Sequence, residues 1–267
     1  MLRSLVTLPF LLLVQAFSRL FYRQEQQWVS ERPVGDWPPF RIVAILNHTS
    51  LTEFLLSGQV PFSYIWRLAR HGTVPIADVT LARPLVGQFW KMIAANPVAI
   101  SRERDHTWDQ IMSLVEDDDA MVMLLPEGRM KRGNGLDKKG RRMQCRSGVA
   151  DLIRTVGDGK MLMAYSQGLH HIQVPDQGIM KLFKPVRLRL EAIDIAEYEA
   201  RMSEGLDPED VQAYRRRVMA DFDARRDRYC TSDLGGTDRP EEWQTAETIR
   251  VSRAPVFLRN RPSAADG

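Results

Sequence analysis

A histidine and an acid stand close together in Asn47-His48-Thr49-Ser50-Leu51-Thr52-Glu53. A neutral imidazole at His48 can accept a proton from an alcohol, while the carboxylate of Glu53 fixes the ring's tautomer and stabilises the imidazolium that forms. Spacing decides whether they can meet. Five residues apart on one continuous helix, they would point about 140° away from each other at roughly 100° per residue. The pair works only if His48 lies in a loop and the helix begins after it, and Ser50 provides such a start. A structural role competes, because Ser50-Leu51-Thr52-Glu53 also fits a capping box in which Glu53 serves only the helix terminus.

A second chemical feature is the density of positive charge between Gly128 and Arg146. Arg129, Lys131, Arg132, Lys138, Lys139, Arg141, Arg142 and Arg146 are opposed there by Asp137 alone. Glycines 133, 135 and 140 give the segment the character of a loop. Such a loop suits phosphate or an anionic membrane surface. It contains no aromatic residue on which a base could stack, so nucleic acid is not an expected partner.

The elements that would position these groups read as an α/β domain. Strand-like apolar runs cover 42–46, 97–100, 121–125 and 161–165, with helix-like stretches between them. The first three end directly in polar residues: Asn47-His48, Ser101-Arg102, and Pro126-Glu127-Gly128-Arg129. Sites in open α/β sheets lie beyond the carboxyl ends of strands, so these clusters can converge. Residues 184–195 alternate apolar and charged side chains, the pattern of a half-solvated strand. Asp207-Pro208 predicts a helix start, with the helix running to about Tyr229. The expected organisation is a single domain over 41–230, with a mixed central sheet flanked by helices. A weakly ordered tail rich in charge and Pro is expected over 231–267.

The first thirty residues form a helical segment of their own. An apolar run from Leu5 to Phe17 is bracketed by Arg3, Arg19 and Arg23. That run falls short of the roughly 20 residues that cross a bilayer, and Val14-Gln15-Ala16 is a poor signal-peptide cleavage site. An interfacial or re-entrant membrane helix is expected, with a buried core helix as its competitor.

Taken together, the clusters resemble the glycerolipid acyltransferases, the family of glycerol-3-phosphate and 1-acylglycerol-3-phosphate acyltransferases. NHTSLTE resembles their Asn-His-x4-Asp motif, VAISR their Ile-x-Arg motif, and LLPEGRMKR their Phe-Pro-Glu-Gly-Thr-Arg motif. RSGVADLIRTV is similar to a later Lys-x-Gly before a helix, and all four occur in order between about 41 and 200. Two positions depart from the pattern. Glu53 replaces the usual Asp, as in the related lipid A acyltransferases. Arg129 directly follows Gly128, so that either Arg129 or Lys131 would fill the phosphate-binding role.

The resemblance implies His48 as general base and Glu53 as its orienting acid, with Arg102, Glu127, Gly128, Arg129 and Lys131 at the acceptor. It implies an acyl thioester, acyl-CoA or acyl carrier protein, as co-substrate and a lysophospholipid or glycerol-phosphate-like acceptor. Membrane lipids at the cytoplasmic face are the implied surroundings, with no metal and no resident cofactor. A non-catalytic lipid-binding protein on the same fold is the alternative. A serine lipid hydrolase is a weaker one, since Ala164-Tyr165-Ser166-Gln167-Gly168 is close to a nucleophile elbow but leaves no room for an acid before His170 and His171. Those two histidines read as loop residues.

Composition bounds these readings. The chain has 267 residues, 44% hydrophobic and 27% charged, near the average for a folded domain and unlike a collagen or a polytopic membrane protein. Two cysteines, Cys145 and Cys230, are too few for a disulfide framework and point to a reducing compartment.

Overall fold

The structure, a computed structural model, describes residues 2–100, 106–174, 178–230 and 249–250. The order of elements is α1 (Leu2–Phe21), β1 (Arg23–Trp28), β2 (Phe40–Leu46), a 3-10 helix (Glu53–Gln59), α2 (Phe62–His71), β3 (Gly72–Ala77), α3 (Asp78–Leu81) and α4 (Pro84–Ile93). It continues with β4 (Asn96–Ile100), α5 (His106–Leu114), β5 (Met121–Leu124), α6 (Gly148–Val156), β6 (Lys160–Ser166), β7 (Pro185–Asp194), α7 (Ile195–Ser203), α8 (Val211–Tyr229) and β8 (Ile249–Arg250).

The strands form one mixed sheet in the order β4-β3-β5-β2-β6-β7-β1-β8. From β4 to β6 all neighbours are parallel; β7 is antiparallel to β6, and β1 is parallel to β7. Parallel strands covered on both faces read as unbroken apolar runs, which is why β2, β4, β5 and β6 are legible in the sequence. Ile42, Ala44 and Leu46 of β2 face one core with α5, α6, α7 and α8. Phe40 and Val43 face the other, with Leu55 and Leu56 of the 3-10 helix, Ile65 and Leu68 of α2, and Leu11 of α1. The fold is the expected α/β domain with helices on both sides.

Three expectations need correction. Residues 23–28 lie in β1, so the N-terminal helix ends at Phe21 and does not continue to residue 30. The alternating strand β7 is not half-solvated, because Arg187 and Arg189 are buried opposite Glu25 and Gln27 of β1. Arg187 Nε donates to Glu25 Oε2 at 2.9 Å and Arg189 Nε to Gln27 Oε1 at 2.8 Å, so each charge enters the sheet with its partner. The cap of α8 is Asp210, whose side chain accepts the N–H of Ala213 at 2.8 Å, and not Asp207. Of the tail over 231–267, only residues 249–250 are described, paired with β1.

Helix α1 has its faces reversed. Gln15, Ser18 and Arg19 are buried and donate to main-chain carbonyls around the 3-10 helix: Gln15 to Val60 at 2.9 Å, Ser18 to Leu55 at 2.5 Å and Arg19 to Gly58 at 2.8 Å. After Arg3 at its start, the exposed stripe of α1 is wholly apolar: Leu5, Val6, Pro9, Leu13, Ala16 and Leu20. By length and composition α1 is long and apolar enough to cross a membrane, longer than the apolar run that marks it in the sequence. A water-facing helix normally shows the opposite arrangement.

Candidate active site

Strand β2 ends at Leu46, and the chain turns at Asn47 in the left-handed region with φ 65°. Asparagine tolerates that conformation better than most residues. Its side chain locks the turn to two neighbours: Nδ2 donates to the Ser166 carbonyl at the end of β6 at 3.0 Å, and Oδ1 accepts from Lys131 Nζ at 3.2 Å.

His48 follows in the loop, as the pairing required, and helical structure starts only at Glu53. His48 Nδ1 lies 2.9 Å from Glu53 Oε1, and both side chains are largely buried. The same Oε1 accepts the N–H groups of Thr49 and Ser50, each at 3.0 Å. Glu53 therefore contacts both the ring and the main chain. It reaches back to the main chain as a capping acid would, and those two bonds hold the carboxylate beside the ring. With Nδ1 facing the acid, Nε2 is the nitrogen left for a reacting proton.

Glu127 grips the main chain of the same turn from the tip of β5. Oε2 accepts the His48 N–H at 2.8 Å and Oε1 the Asn47 N–H at 3.2 Å, with Arg226 Nη1 of α8 at 3.5 Å from Oε1. On the other side, the N–H of Lys131 donates to the His48 carbonyl at 2.7 Å. Both polar groups of the His48 peptide are thus held by the segment 127–131.

His170, expected to be an ordinary loop residue, is buried against this segment. Its Nε2 lies 2.7 Å from the Lys131 carbonyl, which can only accept, so Nε2 carries the proton. Beside it, Leu169 N–H donates to Thr49 Oγ1 at 2.7 Å. Gly168 has φ +88°, and a Cβ there would meet Thr49 Cγ2 at 3.1 Å, so the site's floor requires glycine. The sequence offers His170 only as a loop histidine, because the carbonyl it meets belongs to Lys131, 39 residues away in the chain.

The positive groups separate. Arg129 Nη1 is 2.6 Å from Asp137 Oδ2, and Asp137 also accepts the N–H groups of Lys139 and Arg141. The Arg141 N–H leads in holding that carboxyl far below its ordinary range; burial opposes it, and Arg129 and the Lys139 N–H add to the lowering. Lys131 reaches the His48 turn directly through Asn47. Gly128 turns the chain with φ +61° and lies exposed next to Arg146. Arg102 lies outside the described residues. Among the described residues, no group of three or more His, Cys, Asp or Glu side chains could hold a metal ion.

Electrostatics follow from burial. Desolvation pulls the His48 pKa down, but the adjacent Glu53 carboxylate and, further off, Glu127 more than offset it, and the net shift is upward from 6.5. Glu127 is raised by burial, against the bonds from His48 and Asn47 and the Arg226 charge. Burial lowers His170, keeping it neutral.

Ser166 occupies the end of β6, where its Oγ accepts the Gly168 N–H at 3.0 Å. A nucleophile elbow needs a helix directly after the serine. The described residues between β6 and β7 form none, and Ser166 is buried.

No protein-family model and no curated protein matches this sequence. Among solved structures, the chain is similar to the 1-acyl-sn-glycerophosphate (LPA) acyltransferase PlsC from Thermotoga maritima. The TM-score is 0.47 and the identity 14%, over 79% of this chain and 77% of the other.

Proposed function

We propose that this chain transfers an acyl group from an acyl thioester to a hydroxyl of a lysophospholipid or glycerol-phosphate-like acceptor. The observation that supports this best is His48 Nδ1 at 2.9 Å from Glu53 Oε1, in the loop past β2. Four motifs of the acyltransferase type in order around that pair give the substrate class.

In this reading, His48 Nε2 takes the proton of the acceptor hydroxyl as its oxygen attacks the thioester carbonyl. The tetrahedral oxyanion collapses and expels the thiolate, which recovers the proton from His48. Glu53 stabilises the imidazolium between these steps, and His48 as a positioned base contributes roughly 10²–10⁴-fold. No acyl-enzyme is needed, because a thioester is already activated. Glu127 keeps the His48 main chain rigid and, with Gly128, shapes the acceptor site. Lys131 is the better placed of the two candidate phosphate-binding cations, Arg129 being engaged by Asp137. The reversed faces of α1 fit a helix lying in a membrane surface, at the cytoplasmic face where thioester donors are found.

The test is to supply the purified chain, in lipid vesicles, with acyl-CoA or acyl carrier protein and either lysophosphatidic acid or glycerol 3-phosphate. Mass spectrometry should find a new ester with at least one pairing. Release of free fatty acid alone, or no consumption of either donor, would contradict the proposal.

A further inference from the structure

The segment Gly178-Ile179-Met180-Lys181-Leu182-Phe183-Lys184 leads into β7 and shows its apolar side chains to solvent: Ile179 is 85% exposed, Leu182 41% and Phe183 71%. Phe183 is held with φ 61°, a conformation that bulky residues seldom adopt. Two contacts fasten it to the end of α1. The Phe183 N–H donates to the Phe21 carbonyl at 2.8 Å, and the two rings lie 6.1 Å apart. The exposed stripe of α1 ends at Leu20, so the apolar surface continues from the helix onto this segment.

Its location in the sheet gives it significance. Strand β7 runs antiparallel to β6, so Pro185 lies at the end of the sheet where β6 finishes at Ser166, the end that also carries His48. The connection is material as well as topological. Residues 169–172 bond the His48 loop at one side, through Leu169 to Thr49, and this segment at the other, where the Lys181 N–H donates to the Ile172 carbonyl at 2.9 Å. The charge at this end is positive. Residues 178–185 contain two lysines and no acid, and Lys138, Lys139, Arg142 and Arg146 are exposed in the loop after β5.

We propose that residues 178–184 are a second membrane contact, inserting Ile179, Leu182 and Phe183 into an anionic bilayer beside α1, so that the His48 end of the sheet faces the lipid. The proposal rests on the membrane reading of α1 and deepens it. Apolar side chains flanked by cations suit the boundary between anionic head groups and acyl chains. A lipid acceptor could then reach His48 from the bilayer without crossing water.

Environment-sensitive fluorophores report the contact directly. Cys145 and Cys230 are buried, so Ile179→Cys, Leu182→Cys and the control Glu204→Cys, on the turn after α7, can be labelled singly in the folded chain. With vesicles of phosphatidylcholine and phosphatidylglycerol, labels at 179 and 182 should shift to the blue and be quenched by lipid-borne doxyl groups, while the label at 204 should not respond. Ile179→Ser with Leu182→Ser should lower vesicle partitioning by roughly tenfold or more. Vesicle-bound protein whose labels at 179 and 182 stay water-like would overturn this proposal and leave the membrane reading of α1 standing. Failure to bind anionic vesicles at all would overturn both.

Discussion

Glu127 Oε2 accepts the backbone N–H of His48 at 2.8 Å, from a strand tip that lies 79 residues further along the chain. The ring of that histidine is held by one acid, Glu53, and its main chain by another. The two carboxylates have different duties, and their removal has different consequences.

Glu127→Ala should destabilise the fold. It leaves the N–H groups of Asn47 and His48 without their buried acceptor and removes a charge facing Arg226. A loss of about 3–5 kcal/mol is expected from breaking such a buried set. Urea unfolding measures it; a midpoint like that of the parent would show that the carboxylate does not organise the turn.

Glu53→Gln should move the acid limb of the pH–rate profile. His48 must be neutral to act as base, so the parent loses activity as pH falls through a pKa raised above 6.5. Without the Glu53 charge, burial dominates and the limb should move to lower pH, with a lower plateau. The stability consequence has its own sign. A histidine whose folded pKa exceeds its unfolded value stabilises fully below the unfolded value, and that contribution is lost as pH rises through the folded one. Unfolding curves of the parent across that window should therefore show a decline that Glu53→Gln reduces. An acid limb unmoved by the substitution would sever Glu53 from the histidine.

Ser166→Ala should cost about 1–3 kcal/mol of stability, for the buried Gly168 N–H that loses its acceptor, while thioester turnover largely survives. Complete loss of turnover in a folded variant would bring back the serine hydrolase.

Lys131→Ala should raise the KM for a phosphate-bearing acceptor more than Arg129→Ala does, because Lys131 reaches the His48 turn and Arg129 is tied to Asp137. Steady-state kinetics with glycerol 3-phosphate and with an uncharged monoacylglycerol separate the effect on phosphate from a general one. The opposite ranking would exchange the two cations' roles.

Much of this architecture was legible beforehand because its signals are local. The runs around β2 and β6 are apolar on both faces, and the His48–Glu53 spacing lets the pair meet only with a loop before the helix. What escaped notice depends on partners distant in sequence. Strand β1 reads Arg-Gln-Glu-Gln-Gln-Trp and gives no apolar period, and the partners that let Glu25 and Gln27 be buried, Arg187 and Arg189, lie 162 residues away. Strand β3 contains Pro75, which the sheet tolerates because its pairing with β5 ends at Thr73. At the site, the motif located Glu127 but gave no sign that its oxygens bind main-chain N–H groups, and Asp137's hold on Arg129 was equally invisible.

The most direct test of the account is acceptor-dependent thiol release by the purified chain and by His48→Ala, both shown to be folded. The parent should release thiol only when an acceptor with a free hydroxyl is present, and His48→Ala should be slower by about 10²–10⁴-fold. Equal rates from the two proteins, or release that needs no acceptor, would contradict it.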